Sequence, residues 1–211
     1  LVSAKTASGE DLGADDLVKM LKGCRIRSII PDSKGNIWIS TFTKYGLVKY
    51  GGGKATVFRI EDGMPSDRIR SAFERKDGSM LVACTGGVAV IQGKKITRVY
   101  GEEDGIANTE ILTVMEADNG DIIAGSDGGG IYVINDDGTK NIDTGMGLSS
   151  NVIMRVKKDR NLNIYWVISS NSIAYIDEKY EVHTVTGFPY SNNFDLYQNS
   201  LNEMWVVSSN G

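Results

Sequence analysis

The chain has 211 residues, enough to bury a sizeable core in one or two domains. A hydrophobic fraction of 41% and a charged fraction of 24% are ordinary for a soluble globular protein. The net charge of −4, with no basic run longer than two residues, excludes nucleic acid as a partner, and no stretch approaches the run of about 18 apolar residues that a membrane span needs.

Residues 1–25 are expected to be irregular, the remnant of a preceding unit. Leu1-Val2-Ser3-Ala4 reads as the tail of a strand, and a chain starting at Leu1 reads as excised from something longer. No charged n-region with an apolar h-region is visible. Asp15 to Gly23 has apolar residues at 17, 18, 20 and 21, an Asp before them and a Gly after. That suits a short capped helix, with an irregular outer strand as the rival reading.

From Ile26 a repeat takes over. Ile26–Ile30 is strand A, Asp32 to Asn36 a turn, Ile37–Thr41 strand B, Gly46–Tyr50 strand C and Thr56–Ile60 strand D. Asp62-Gly63-Met64-Pro65-Ser66 then crosses to the next unit. Unit two predicts strands at 69–73, 80–85, 87–91 and 96–100. Unit three predicts 111–116, 122–126, 130–134 and 139–142. Unit four predicts 152–157, 164–169, 172–176 and 182–185. A fifth unit has only 194–198 and 204–208.

The period is in the low forties. Trp38 to Leu81 is 43 residues, Leu81 to Ile123 is 42, and Gly63 to Gly105 and Gly105 to Gly147 are both 42. With 25 Gly marking turns and no helical pattern inside the unit, this predicts an all-β fold: a β-propeller of four-stranded antiparallel blades. The expected boundaries are 26–66, 67–108, 109–150 and 151–191, with a half blade at 192–211, all in one propeller domain. Closed propellers have about 4–8 blades; four repeats, a half blade and a non-conforming start, about 4.5 blades, read instead as an arc of a larger, about seven-bladed ring. Its open edges would favour self-association.

Most motifs have structural readings. Trp38, Trp166 and Trp205 are expected in the core between blades. Asp118-Asn119-Gly120-Asp121 and Asn135-Asp136-Asp137-Gly138 lack the 12-residue calcium-loop pattern and read as hairpin turns. Cys24 and Cys84, 60 residues apart, read as free thiols. His183, the one histidine, falls on an outer strand and belongs to no triad or metal cluster. No cofactor or metal is expected. Arg25, Arg27, Arg68, Arg70 and Arg155 lie near the starts of A strands, beside the expected channel. They are the most suggestive polar feature. Asp32 to Trp38 resembles the Asp-box of sialidase-type propellers, but Asp32 stands three residues before Gly35 rather than two.

The units also resemble the two-component regulator propeller repeat. The residues that carry this are Asp32, Gly35, Asn36, Trp38, Ile39, Thr41, Gly46, Leu47, Tyr50, Asp62, Gly63, Pro65 and Ser66. The repeated phrases run from Ile26 to Gly211, with unit four departing where Asn161-Leu162-Asn163 replaces the turn Gly. The resemblance implies the extracytoplasmic sensor domain of a membrane-anchored bacterial hybrid histidine kinase or diguanylate cyclase. It implies no catalytic residue, and a small-molecule or oligosaccharide ligand. A protein-interaction scaffold and a sialidase- or lyase-type enzyme remain as alternatives.

Strand alternation puts the D-to-A crossings and B-to-C loops on one face. Ligand contacts are expected there, from Lys44, Tyr45, Arg68, Asp127, Asn171, Tyr190 and Asn193. The same surface would serve as a contact in a sensor dimer.

Overall fold

The computed structural model describes residues 16–170, 172–187 and 194–208. Four antiparallel sheets of four strands follow one another, each a simple meander. The first holds β1 (Ile26–Pro31), β2 (Ile37–Thr41), β3 (Leu47–Gly51) and β4 (Lys54–Phe58). The second holds β5 (Ile69–Glu74), β6 (Met80–Cys84), β7 (Gly87–Gln92) and β8 (Lys95–Tyr100). The third holds β9 (Ile111–Glu116), β10 (Ile122–Ser126), β11 (Ile131–Asn135) and β12 (Gly138–Ile142). The fourth holds β13 (Ile153–Lys158), β14 (Ile164–Ser169), β15 (Ile173–Asp177) and β16 (Val182–Thr184). A two-stranded sheet, β17 (Phe194–Gln198) with β18 (Met204–Ser208), follows. The chain divides into two compact units, residues 1–85 with 89–99 and residues 86–88 with 100–211.

In the first unit, alternation along β2 and β3 sends successive side chains to opposite faces of the sheet. Trp38, Leu47 and Phe58 face one core, with Met64, Ile69, Met80, Val82, Cys84 and Ile91 of the crossing and the next blade. Ile39 and Val48 face the other, where the short helix α1 (Asp16–Leu21) lays Leu17, Met20 and Leu21 over them. The helix ends as the sequence suggests: Gly23 takes φ +76° and Cys24 N–H donates to Leu21 O at 2.9 Å. Cys24 is half-buried and Cys84 buried, both free thiols.

The recurring phrases have distinct physical jobs. Asp32 closes the turn between β1 and β2. Its carboxylate accepts from Lys34 N–H (3.0 Å), Asn36 N–H (2.8 Å), Asn36 Nδ2 (2.8 Å) and Trp38 Nε1 (2.9 Å). Asp159 does the same for Trp166 Nε1 at 2.9 Å in the fourth blade. At the far end of β2, the buried Thr41 hydroxyl donates to Gly46 O at 2.8 Å, and Ser126 repeats this with Gly130 O at 2.9 Å. Thr41→Val keeps the shape and removes one of two donors to the Gly46 carbonyl, which retains the Thr41 N–H at 3.0 Å. We expect it to cost about 1 kcal/mol in denaturant unfolding.

The Asp-Gly-Met crossing is a 3-10 turn (Ile60–Asp62). Asp62 accepts from Arg59 N–H at 2.9 Å, Gly63 takes φ +102°, and the chain then drops Met64 into the core at 2% exposure. Asp104 with Ile106 repeats this arrangement; in the third crossing Leu148 is again buried, but the acid has moved to the cap, where Asp143 accepts from Gly145 N–H at 2.8 Å. The turn also explains one shift from the sequence reading. Ile60 belongs to the crossing, so the D strand of the first blade ends at Phe58.

In the second unit, β13 packs beside β9 and β10. Tyr165 OH accepts from Asp118 N–H at 2.9 Å, and Tyr180 OH donates to Asp121 at 2.6 Å. Burial, then the Asp121 carboxylate, pushes the Tyr180 phenol up. The β17–β18 pair packs Leu196, Met204 and Val206 against Ile168 and Ile173. Trp205 points the other way and is 57% exposed, against the expectation of a core position. Its turn carries Asn199, not Asp, and the Asn199 amide donates to Glu203 at 2.7 Å.

Candidate functional site

The B-to-C loops and A-strand starts lie at one end of each sheet, and a common register builds them. In each blade the residue after strand B, or shortly past it, donates its N–H to a carbonyl just before strand A. Phe42 bonds Arg25 O (2.8 Å), Thr85 bonds Arg68 O (3.2 Å), Asp127 bonds Glu110 O (2.8 Å) and Ser170 bonds Val152 O (3.0 Å). Two residues later every A strand carries a β-bulge, at Arg27, Arg70, Leu112 and Met154. A bulge inserts one unpaired residue and re-aims its side chain. Two positions per blade are therefore presented at this end by backbone geometry alone.

In the first two blades all four of those positions are arginine. Arg25, Arg27, Arg68 and Arg70 converge on the half-buried ring of Phe42, with guanidinium carbons 5.7, 4.8, 5.6 and 4.5 Å from its centroid. Phe42 is held by its bond to Arg25 and by a backbone bridge to Arg68. Each guanidinium–ring contact contributes about 0.5–1 kcal/mol at an exposed site.

Of the residues expected to contact ligand, Arg68 is part of this cluster. Lys44 is exposed, its Nζ 5.1 Å over the Tyr45 ring, and its carbonyl accepts from Arg59 Nη1 at 3.5 Å. Tyr45 is half-buried against the Ile39–Val48 core. Asp127 lies at the third-blade counterpart of Phe42 and bridges to Val152. Asn171, Tyr190 and Asn193 lie outside the described residues. Arg155 is exposed, one residue past the bulge of its blade, and donates to Met154 O. No sequence motif singles out Phe42. The one signal for it is its place, in register with Thr85 and Asp127.

At the opposite end of the fourth blade, a cleft of about 580 Å³ is lined by Trp166, Tyr175, Asp177, Glu178 and Glu181 among others. Its aromatic wall is the counterpart of a packed face. Trp166 pairs with Tyr175 as Trp38 pairs with Lys49, and in the first blade that face is covered by Met80 and Ile91. Asp177, Glu181 and His183 bring potential ligand atoms within 4.8 Å of one another. Asp177 is already engaged by Lys179 N–H, Glu181 N–H and His183 Nε2, at 2.9, 3.0 and 2.9 Å. Burial alone would raise its carboxyl. The His183 and backbone hydrogen bonds win and hold it below the usual carboxylate range. His183 also stacks on Tyr175 at 4.7 Å, so this cluster is a closed turn rather than an open metal site.

These meander sheets, joined by D-to-A crossings, define a β-propeller. Residues 20–43 match the family model described as "Two component regulator propeller". No curated protein matches the chain. Among solved structures, the chain is similar to the extracellular domain of a proposed hybrid two component system, BT3049, from B. thetaiotaomicron. The TM-score is 0.74 and the identity 17%, over 86% of this chain and 26% of that one. The extracellular domain of a proposed one component system, BT4673, from the same organism gives 0.72 and 18%, over 88% and 29%. Virginiamycin B lyase from Staphylococcus aureus gives 0.72 and 18%, over 87% and 63%. The chain thus spans less than a third of the length of the two extracellular domains. Among the described residues no helix is long and apolar enough to cross a membrane.

Proposed function

We propose that this chain is part of an extracytoplasmic, ligand-sensing propeller in a bacterial signal-transduction protein, and that the propeller itself is not an enzyme. One observation carries the reading. A two-component regulator repeat is built into blades whose fold is shared with extracellular domains of one- and two-component systems. The recurring residues (Asp32, Trp38, Thr41, Asp62 and Met64) are consumed by turns and packing. That leaves the non-recurring residues of the B-to-C and D-to-A end to recognise something. Carbohydrate is the ligand class we favour, and association between copies through exposed strand edges fits the same role. The lyase shares the fold, but lyase chemistry would need an acid–base pair. The one histidine of the chain is engaged by Asp177 and Tyr175.

The test is a thermal-shift panel of neutral and acidic oligosaccharides on the full protein. A cognate ligand at about 100 times its Kd adds about 2.7 kcal/mol, a rise of about 5 °C or more for a domain of this size. The gene should also encode a membrane helix and a kinase or cyclase output region. Absence of both the output region and any stabilising ligand would sink the sensor reading.

A further inference from the structure

We propose that Arg25, Arg27, Arg68 and Arg70, arranged around Phe42, form an oxyanion-binding site. It would take a carboxylate or sulfate group of the sensed ligand. The inference deepens the sensor reading and rests on it for the biological role of the ligand, though not for the binding itself.

Three observations point this way. First, the chain is net negative at −4, yet four guanidiniums converge on one ring in the first unit. A solvated face of scattered charges would not arrange itself so. Second, the fold does not ask for arginine at these places. The same two register positions hold Glu110 and Leu112 in the third blade and Val152 and Met154 in the fourth, with the same backbone bond and the same bulge. Blade packing is satisfied by an acid, two aliphatic side chains and a thioether, so the arginines serve something else. Third, the site stands on rigid elements. Arg25 and Arg68 are fixed by carbonyl bonds to Phe42 and Thr85, and Arg27 and Arg70 by bulges within β1 and β5. Preorganised donors bind with less ordering cost than side chains on free loops.

The residue type sets the ligand chemistry. A guanidinium presents a planar fork of N–H donors that matches two oxygens of a carboxylate or sulfate. Phe42 holds the forks close together, so one oxyanion can meet more than one of them. A neutral ligand offers the forks no charge. The source of the anion is a uronic acid, a sulfated sugar or a free inorganic anion, and the probes separate them.

The experiment is calorimetric titration of the full protein at low ionic strength. The probes are galacturonate, galactose 6-sulfate, inorganic sulfate and, as the neutral control, galactose. At least one anion should bind about tenfold or more tightly than galactose, and its affinity should fall as salt is raised. The double variant R25Q/R68Q changes two exposed side chains and gives up two ring contacts, so its melting temperature should fall by only a few degrees. Its anion affinity should drop about tenfold or more, and R25K/R68K should recover only part, because Lys keeps the charge but lacks the fork. Which anion binds identifies the source. The site is overturned if no anion binds, or if R25Q/R68Q leaves the affinity unchanged. A neutral oligosaccharide that stabilises R25Q/R68Q and wild type alike keeps the sensor reading and removes the oxyanion site. Anion binding in a protein with no output region does the reverse.

Discussion

Asp32→Ala should destabilise the propeller by about 3 kcal/mol and lower its melting temperature by about 8 °C. The carboxylate is 5% exposed and gathers donors from three residues, the Trp38 indole among them. Lys49 stands 3.9 Å away and lies over the Trp38 ring. Removing the acid strands the indole N–H beside a core in which Trp38 is 3% exposed and stacks on Phe58 at 5.7 Å. Orphaned buried donors, not a lost surface ion pair, dominate the cost.

The same carboxylate makes the fold acid-sensitive. Burial pushes the Asp32 carboxyl up, but hydrogen bonds from Trp38, Asn36 and Lys34 outweigh it and hold the group at about 2, against 3.8 ordinarily. A folded value below the unfolded one means the unfolded chain binds the proton first. Its stabilisation is therefore complete above about pH 4 and drains away as pH falls toward 2, a loss of about 2 kcal/mol. Asp159 is lowered too: burial opposes it, and Asn161, Trp166 and Leu162 prevail. It acts over the same side of the pH scale. Asp32→Asn keeps one acceptor oxygen and loses the charge. It should cost less than Asp32→Ala and flatten the decline in urea stability between pH 4 and pH 2. An unchanged decline in Asp32→Asn would show that other carboxylates carry it.

How much of this could be read from the sequence depends on range. The turn phrases are local, so their spacing announced the blades, and most strand ends fall within two residues of expectation. Asp32 was legible as a turn former, because Asp and Gly at that spacing make a hairpin. Its grip on the Trp38 indole was not, since it depends on how a side chain six residues on folds back. Trp38 and Trp205 occupy the same place in the repeat, yet one is buried and the other exposed. What covers a sheet face is a property of its neighbour, which the repeat does not encode. The arginines stood out as charges at strand starts. Phe42 did not, because its role comes from a bridge to Arg68 in the next blade and from bulges that no residue type announces.

Gly130→Ala should be among the most damaging single changes in the chain, costing about 4 kcal/mol or more and leaving little soluble protein. Gly130 starts the C strand of the third blade at φ +82°, where any L side chain is strained by about 1–2 kcal/mol. Steric overlap costs more than this strain. A Cβ there would drive into the Ile142 carbonyl oxygen and lie 3.2 Å from Asp143 Cα, both backbone, so no rotamer can relieve it. The third blade would have to part β11 from β12 or shift the crossing that follows. Gly46 faces Phe58 O and Gly87 faces Tyr100 O in the same way, so the close approach recurs in the first three blades, while the fourth carries Ser172 at this place. Gly52→Ala is the control. It has a positive φ of +57° but open space around it, and it should cost only about 1 kcal/mol. If the two variants unfold at similar urea concentrations, backbone strain rather than contact with the D strand governs these positions. If Gly130→Ala alone collapses, this glycine is what lets β11 and β12 close up at the B-to-C end of the third blade.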